Sequence, residues 1–215
     1  MSAVLKSSTE DLVADGPSSL DEGFNVQSRL DCRLSSVLMM HVTGYRGGET
    51  LGVIRSHKMK VLFAKILSGG QTGADRAALD WAIEHGVPHG GWCPKGRKAE
   101  DGQIDPKYEL KETPNPDYVQ RTEWNVRDSA GTVVFSIASV LTGGSKKTVD
   151  LARKHQKPVL HLSRDGGPRE PEQELLRFLR KHHIQVLNAA GPRASKEPEV
   201  ENFVREVLDK VWAIA

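Results

Sequence analysis

From residue 59 onward, short apolar runs alternate with longer stretches in which apolar residues return every three or four positions. The first pattern suits strands and the second suits amphipathic helices. Residues 61–67 form a nearly unbroken apolar run, as strands buried on both faces do. Residues 74–85 follow as a helix, with Ala78, Leu79, Ala82 and Ile83 on one side and Gly86 closing it. Residues 87–93 make a weaker strand, interrupted by Pro88, Gly90 and Gly91. Residues 94–117, dense in proline and glycine, are expected to be a long irregular loop of the kind that often carries function. A helix over 116–128 and the clearest central strand, 131–137, come next. A second glycine turn at 142–148 opens a helix that runs to Gln156, and a strand covers 158–162. A helix at 171–182 has Pro171 in its first turn, and a strand covers 184–187. The final helix carries Val200, Phe203, Val204, Val207, Leu208 and Val211 as one stripe, with Pro198 expected at its first position.

Alternation of this kind predicts an α/β fold, a doubly wound parallel sheet of about five strands with helices on both faces. Residues 1–58 break the pattern. They are rich in Ser and Gly, balanced in charge and without periodicity, and are expected to be a disordered extension preceding a ligand-binding domain at 59–215. Within them, 34–42 has the makings of a short strand or helix.

Composition narrows the function classes. A net charge of +2 gives no reason to expect a nucleic-acid partner. No apolar run reaches the ~20 residues a membrane helix needs, and no apolar segment follows a basic start as in a secretory signal. Two cysteines, Cys32 and Cys93, without a CxxC spacing fit a reducing, cytoplasmic setting better than a disulfide framework.

The candidate chemistry lies where strands pass into helices. Ser68-Gly69-Gly70-Gln71-Thr72-Gly73-Ala74-Asp75-Arg76 is a strand, a glycine turn and a helix start, which together can hold an anion on free N–H groups. It matches neither GxGxxG nor GxxxxGK[ST]. Thr142-Gly143-Gly144-Ser145 through Thr148 repeats the arrangement. In an open parallel sheet both turns fall on the carboxyl edge, where ligands bind. If the first strand neighbours the 131–137 strand, the two turns flank one crevice and each helix points its start into it. Arg76, Lys146 and Lys147 place cations near helix starts, against the dipole, which suggests a compensating anion; the alternative is that these side chains extend into solvent. Trp92 is able to stack on a planar ring or simply to pack. Lys95, Arg97 and Arg193 are further candidates for oxyanion contact, Arg97 suiting a bidentate one. Catalytic arrangements are poor: there is no GxSxG, no metal spacing among the histidines and no paired carboxylates, and Cys93 reads as a buried small apolar residue.

Taken together, 68–80, Gly91-Trp92-Cys93-Pro94-Lys95-Gly96-Arg97, Ala99-Glu100-Asp101-Gly102, Arg121-Thr122-Glu123-Trp124-Asn125-Val126, the second glycine turn and Gly191-Pro192-Arg193 resemble the molybdenum cofactor carrier protein family over residues 59–213. The resemblance implies a Rossmann-like fold and a homotetramer. It also implies storage, protection or transfer of molybdenum cofactor, a pterin with a terminal phosphate, as bound ligand, with molybdoenzymes or cofactor-synthesis proteins as partners. The binding residues then expected are Gly69, Gly70, Gln71, Thr72, Gly73, Asp75, Arg76, Trp92, Lys95, Arg97, Thr142, Gly143, Gly144, Ser145, Thr148 and Arg193. The chain is also similar to the lysine-decarboxylase-like nucleotide-binding superfamily, which makes a nucleotide-binding enzyme or sensor that hydrolyses nucleoside phosphates the alternative. That superfamily's PGGxGTxxE signature stands here as Leu141–Asp150, without its proline, third glycine and glutamate. Ala194 stands where the carrier pattern has a glutamate.

Overall fold

The computed structural model describes residues 62–215 and the two short strands β1 (Tyr45–Arg46) and β2 (Glu49–Thr50). The chain divides into two units, Met1–Met59 and Lys60–Ala215. In the first, β1 and β2 pair antiparallel, Tyr45 opposite Thr50. The expected disorder of 1–58 and the element at 34–42 otherwise lie outside the described residues.

The second unit runs β3 (Lys65–Leu67), α1 (Ala74–Glu84), β4 (His89–Cys93), β5 (Lys98–Ala99), β6 (Gly102–Gln103), β7 (Leu110–Glu112), α2 (Tyr118–Asp128), β8 (Gly131–Ser136), α3 (Gly143–Lys154), β9 (Val159–Ser163), α4 (Pro171–Lys181), β10 (Val186–Ala190) and α5 (Val200–Ile214). Six strands form one parallel sheet in the order β7-β4-β3-β10-β8-β9. The sixth strand, β7, comes from the stretch expected to be irregular. Leu110 is its only apolar residue, too little pattern to read, yet it pairs opposite Gly91 on the sheet edge. The same stretch holds the small antiparallel hairpin β5–β6.

The strand order corrects one expectation. β3 does not neighbour β8; β10, the last strand of the chain, lies between them. β10 reaches Ala190, beyond the expected end at 187, because both its edges are paired and its polar residue is satisfied: Asn188 Nδ2 donates to Thr132 Oγ1 at 3.2 Å. Every residue of β8 is buried: Val133, Val134 and Phe135 are apolar, and the hydroxyls of Thr132 and Ser136 are hydrogen-bonded.

Helices cover both faces. α1, α4 and α5 pack together over a core that includes Phe63, Ile66, Trp81, Phe135, Leu175 and Phe203. α2 and α3 pack on each other through Val126, Leu151 and Ala152. α5 begins at Val200 after Glu199, so Pro198 precedes the helix rather than opening it. Among the described residues no helix is long and apolar enough to cross a membrane.

Candidate functional site

A cavity of about 470 Å³ opens at the carboxyl edge of the sheet, a volume suited to a small-molecule ligand. One wall is the start of α3 and the loop before it, Val140 to Ser145 with Lys147 and Thr148. The facing wall is the first turn of α2, Tyr118, Val119, Arg121 and Thr122. Gln71, Asp75 and Ala190 to Pro192 also line it, as do Arg193, Lys196 and Glu197 from the connection to α5.

The start of α3 is the feature built to receive an anion. Thr142 precedes the helix in extended backbone but its side chain makes no cap hydrogen bond. The first N–H groups of the helix are therefore without a side-chain acceptor, and the dipole adds partial positive charge there. Gly143 has φ of +52°. A Cβ on Gly143 or Gly144 would meet nothing within 4 Å, so the glycines here leave space in front of the backbone. Lys147 lines the same cavity, whereas Lys146 is engaged with Asp150 at 2.7 Å along the helix. By contrast Asp117 caps α2 in the ordinary way, accepting from Val119 N at 2.9 Å.

Beside this, a buried polar group is tightly knit. Arg121 Nη1 lies 3.0 Å from Asp75 Oδ2, which also accepts from Gln71 N at 3.3 Å. Burial pushes the Asp75 carboxyl up, and Arg121 opposes that shift. Gln71 Oε1 accepts from Thr72 N at 3.1 Å and Glu100 N at 2.9 Å. Two donors in this group, Gln71 Nε2 and Arg121 Nε, have no protein acceptor. Leaving a buried donor unpaired costs about 1–3 kcal/mol.

The first glycine turn is arranged differently. Gly69 makes room for the Arg121 guanidinium, and Gly73 lies against the backbone of Pro192–Ala194. Gly70 has φ of +72°, and a Cβ there would come 2.5 Å from Leu110 Cδ1. The start of α1 is closed within the protein: Gly73 N donates to Glu201 at 3.0 Å and Ala74 N to the Pro192 carbonyl at 3.2 Å. Of the two helices opened by glycine turns, then, α3 is the one whose first N–H groups face the cavity without a cap. From the first motif Gln71 and Asp75 reach the lining, whereas Gly69, Gly70, Thr72, Gly73 and Arg76 do not.

The remaining expected residues divide similarly. Thr142, Gly143, Gly144, Ser145, Thr148 and Arg193 line the cavity. Arg76 lies outside it, bonded to the Gly70 carbonyl at 3.1 Å and paired with Asp101 in the β5–β6 turn. Arg97 lies outside it too, its guanidinium donating to the carbonyls of Ile104, Asp105, Tyr108 and Leu110 and so organising the loop that carries β7. Trp92 sits in β4, its ring edge-on to Trp124 at 4.6 Å and its Nε1 on Asp128 at 2.7 Å. Lys95 lies outside the lining. Where the carrier pattern has a glutamate at 194, Ala194 N donates to Thr72 Oγ1 at 3.2 Å, and Glu100 ties that corner by accepting from Thr72 and Ser195. Arg121, absent from the expected binding residues, lines the cavity as well as pairing with Asp75. Tyr118, Val119, Val140, Lys196 and Glu197 carried no local signal, because they meet only through the fold.

Catalytic groups are sparse. Ser136 Oγ lies 2.7 Å from His161 Nε2, but Ser136 is buried and outside the cavity. Cys93 is buried among Leu79, Ile104, Tyr108 and Leu110, and burial pushes its thiol up. Among the described residues no three His, Cys, Asp or Glu side chains converge as a metal site.

A parallel six-stranded sheet with helices on both faces and a cavity at its carboxyl edge defines a Rossmann-like, doubly wound α/β domain. Residues 66–212 match the circularly permutated YpsA SLOG family, and the chain belongs to it. A crystal structure from Syntrophus aciditrophicus SB, of a protein named putative molybdenum carrier protein, superposes with a TM-score of 0.68 at 48% identity, covering 70% of this chain and 95% of that one. No curated protein matches.

Proposed function

We propose that this cavity binds molybdenum cofactor and that the chain stores, protects or transfers it. The observation that carries the proposal is the start of α3: uncapped N–H groups and glycine space beside Lys147, suited to a terminal phosphate. Arg193 and Lys196 line the same cavity, giving it the basic character a phosphate ester needs. The name of the Syntrophus protein and the chain's own family support the same reading. Recognition in this proposal runs through phosphate and ring, and the metal rides on the cofactor's own sulfurs. A homotetramer that hands the cofactor to molybdoenzymes or receives it from cofactor-synthesis proteins completes the reading.

The test is purification of the full chain from a host that makes the cofactor, followed by assay of bound molybdenum and pterin. Stoichiometric recovery of both supports the proposal; a protein free of both, from a host shown to contain the cofactor, overturns it. The alternative, hydrolysis of nucleoside phosphates, rests on family membership and on the carboxylates Asp75 and Glu197 in the cavity. Both are already engaged, Asp75 by Arg121 and Glu197 by the Ile137 N–H, which favours binding over turnover. Release of free base from nucleoside monophosphates would reverse that preference.

A further inference from the structure

Glu100 does not line the cavity, yet it holds part of the cavity's wall. Glu100 and Asp101 form the turn of the β5–β6 hairpin, and their carboxylates bind different partners. Asp101 accepts from Arg76 Nη2 at 2.7 Å, away from the cavity. Glu100 accepts from the Thr72 hydroxyl, the Ser195 hydroxyl and Ser195 N, the last at 3.2 Å. Its own N–H donates to Gln71 Oε1 at 2.9 Å, which ties the hairpin to the first glycine turn. Arg193 Nη1 lies 3.7 Å from Glu100 Oε2.

The segment that Glu100 holds carries three cavity residues. Lys196 N and Glu197 N donate to the Arg193 carbonyl at 2.9 and 3.1 Å, closing a short turn. Arg193, Lys196 and Glu197 all line the cavity, and Glu197 reaches on to the Ile137 N–H. Arg193 is partly exposed, and a long cationic side chain loses rotamer freedom when it meets a ligand. A carboxylate already beside the guanidinium restricts it beforehand. Hydrogen bonds from Ser195 first and Thr72 next hold the Glu100 carboxyl below its ordinary range, so it is charged at neutral pH. A guanidinium carries several N–H donors, so a carboxylate near Nη1 leaves others for an oxyanion.

We propose that Glu100 is a positioning residue for anion binding: from outside the cavity it sets the 193–197 turn and directs Arg193 toward the ligand's phosphate. The proposal rests on the phosphate reading of the cavity and gives a role to the hairpin motif Ala99–Gly102, which lies outside the lining.

Titration calorimetry on the full chain with ribose 5-phosphate tests this in Arg193→Ala, Glu100→Ala, Glu100→Gln, the Glu100→Ala/Arg193→Ala double variant and Asp101→Ala. Arg193→Ala, losing one charge-assisted contact, should bind roughly tenfold more weakly than wild type. Each Glu100 variant should lose about fivefold, and the double variant should match Arg193→Ala within about twofold, because the two residues act as one unit. Asp101→Ala cuts the other tie of the same turn and should leave affinity within about twofold of wild type. Unchanged or tighter binding in the Glu100 variants, losses that multiply in the double variant, an equal loss in Asp101→Ala, or an Arg193→Ala variant that binds like wild type would each overturn the positioning role while leaving the phosphate reading in place. Absence of binding by the wild type would overturn both.

Discussion

Gly144 allows the phosphate reading to be separated from a merely structural one, because the two predict opposite changes. A structural glycine at a helix start should resist substitution. Gly144 is in helical backbone at the beginning of α3, and a Cβ added there would meet nothing within 4 Å. Gly144→Ala should therefore stabilise the fold by about 0.4–1 kcal/mol, by restricting the unfolded chain. For a domain of this size that raises the thermal midpoint by roughly 1–4 °C. The same methyl group occupies the space through which an anion approaches the first N–H groups. One hydrogen bond to a charged group is worth about 1.5–3 kcal/mol, so its loss weakens ribose 5-phosphate by roughly 10-fold to 150-fold. Gly144→Val should weaken binding at least as much with the fold intact. Thermal scanning gives the first quantity and titration calorimetry the second. A lowered midpoint with unchanged affinity in both variants would refute the reasoning, since the glycine would then serve the backbone alone.

Gly70→Val should do the reverse: with φ of +72° and Leu110 Cδ1 2.5 Å from the new Cβ, it should lower the thermal midpoint. Strain and overpacking of about 1–3 kcal/mol each correspond to a drop on the order of 10 °C, measurable by thermal scanning. Asp75→Asn leaves the Arg121 guanidinium, 14% exposed, without its carboxylate, and should cost about 3–5 kcal/mol in denaturant unfolding. The Glu100 carboxyl is held below its ordinary value by hydrogen bonds from Ser195 first and Thr72 next. Because the folded value is depressed, that stabilisation is present above the ordinary carboxylate range and disappears as pH falls through the depressed value. The midpoint difference between the wild type and Glu100→Gln should accordingly be largest near neutral pH and shrink in acid.

How much of this was legible in the sequence varies with the range of the interactions involved. The strands 131–137 and 158–162 and the helices around them were readable, because burial on both faces writes an apolar run and burial on one face writes a stripe. β7 was not, since three residues with one apolar side chain resemble a loop until Gly91 is found beside them. Strand order was not either: the placement of β10 between β3 and β8 depends on contacts more than fifty residues apart. The glycines illustrate the limit most clearly. Gly69, Gly70 and Gly73 permit close packing, against Arg121, Leu110 and the Pro192–Ala194 backbone, whereas Gly143 and Gly144 face open space. Both uses look alike in one dimension. Likewise Glu201, which closes the start of α1, stands 128 positions from Gly73 and left no mark near the first turn.

The account stands most directly on where a ligand's phosphate lies. A crystal structure of the full chain with guanosine monophosphate should place the phosphate within about 3 Å of the N–H groups of Gly144 and Ser145, at the start of α3. A phosphate resting instead on the Gly69–Gly73 turn, or beside Trp92 and Lys95, would contradict it.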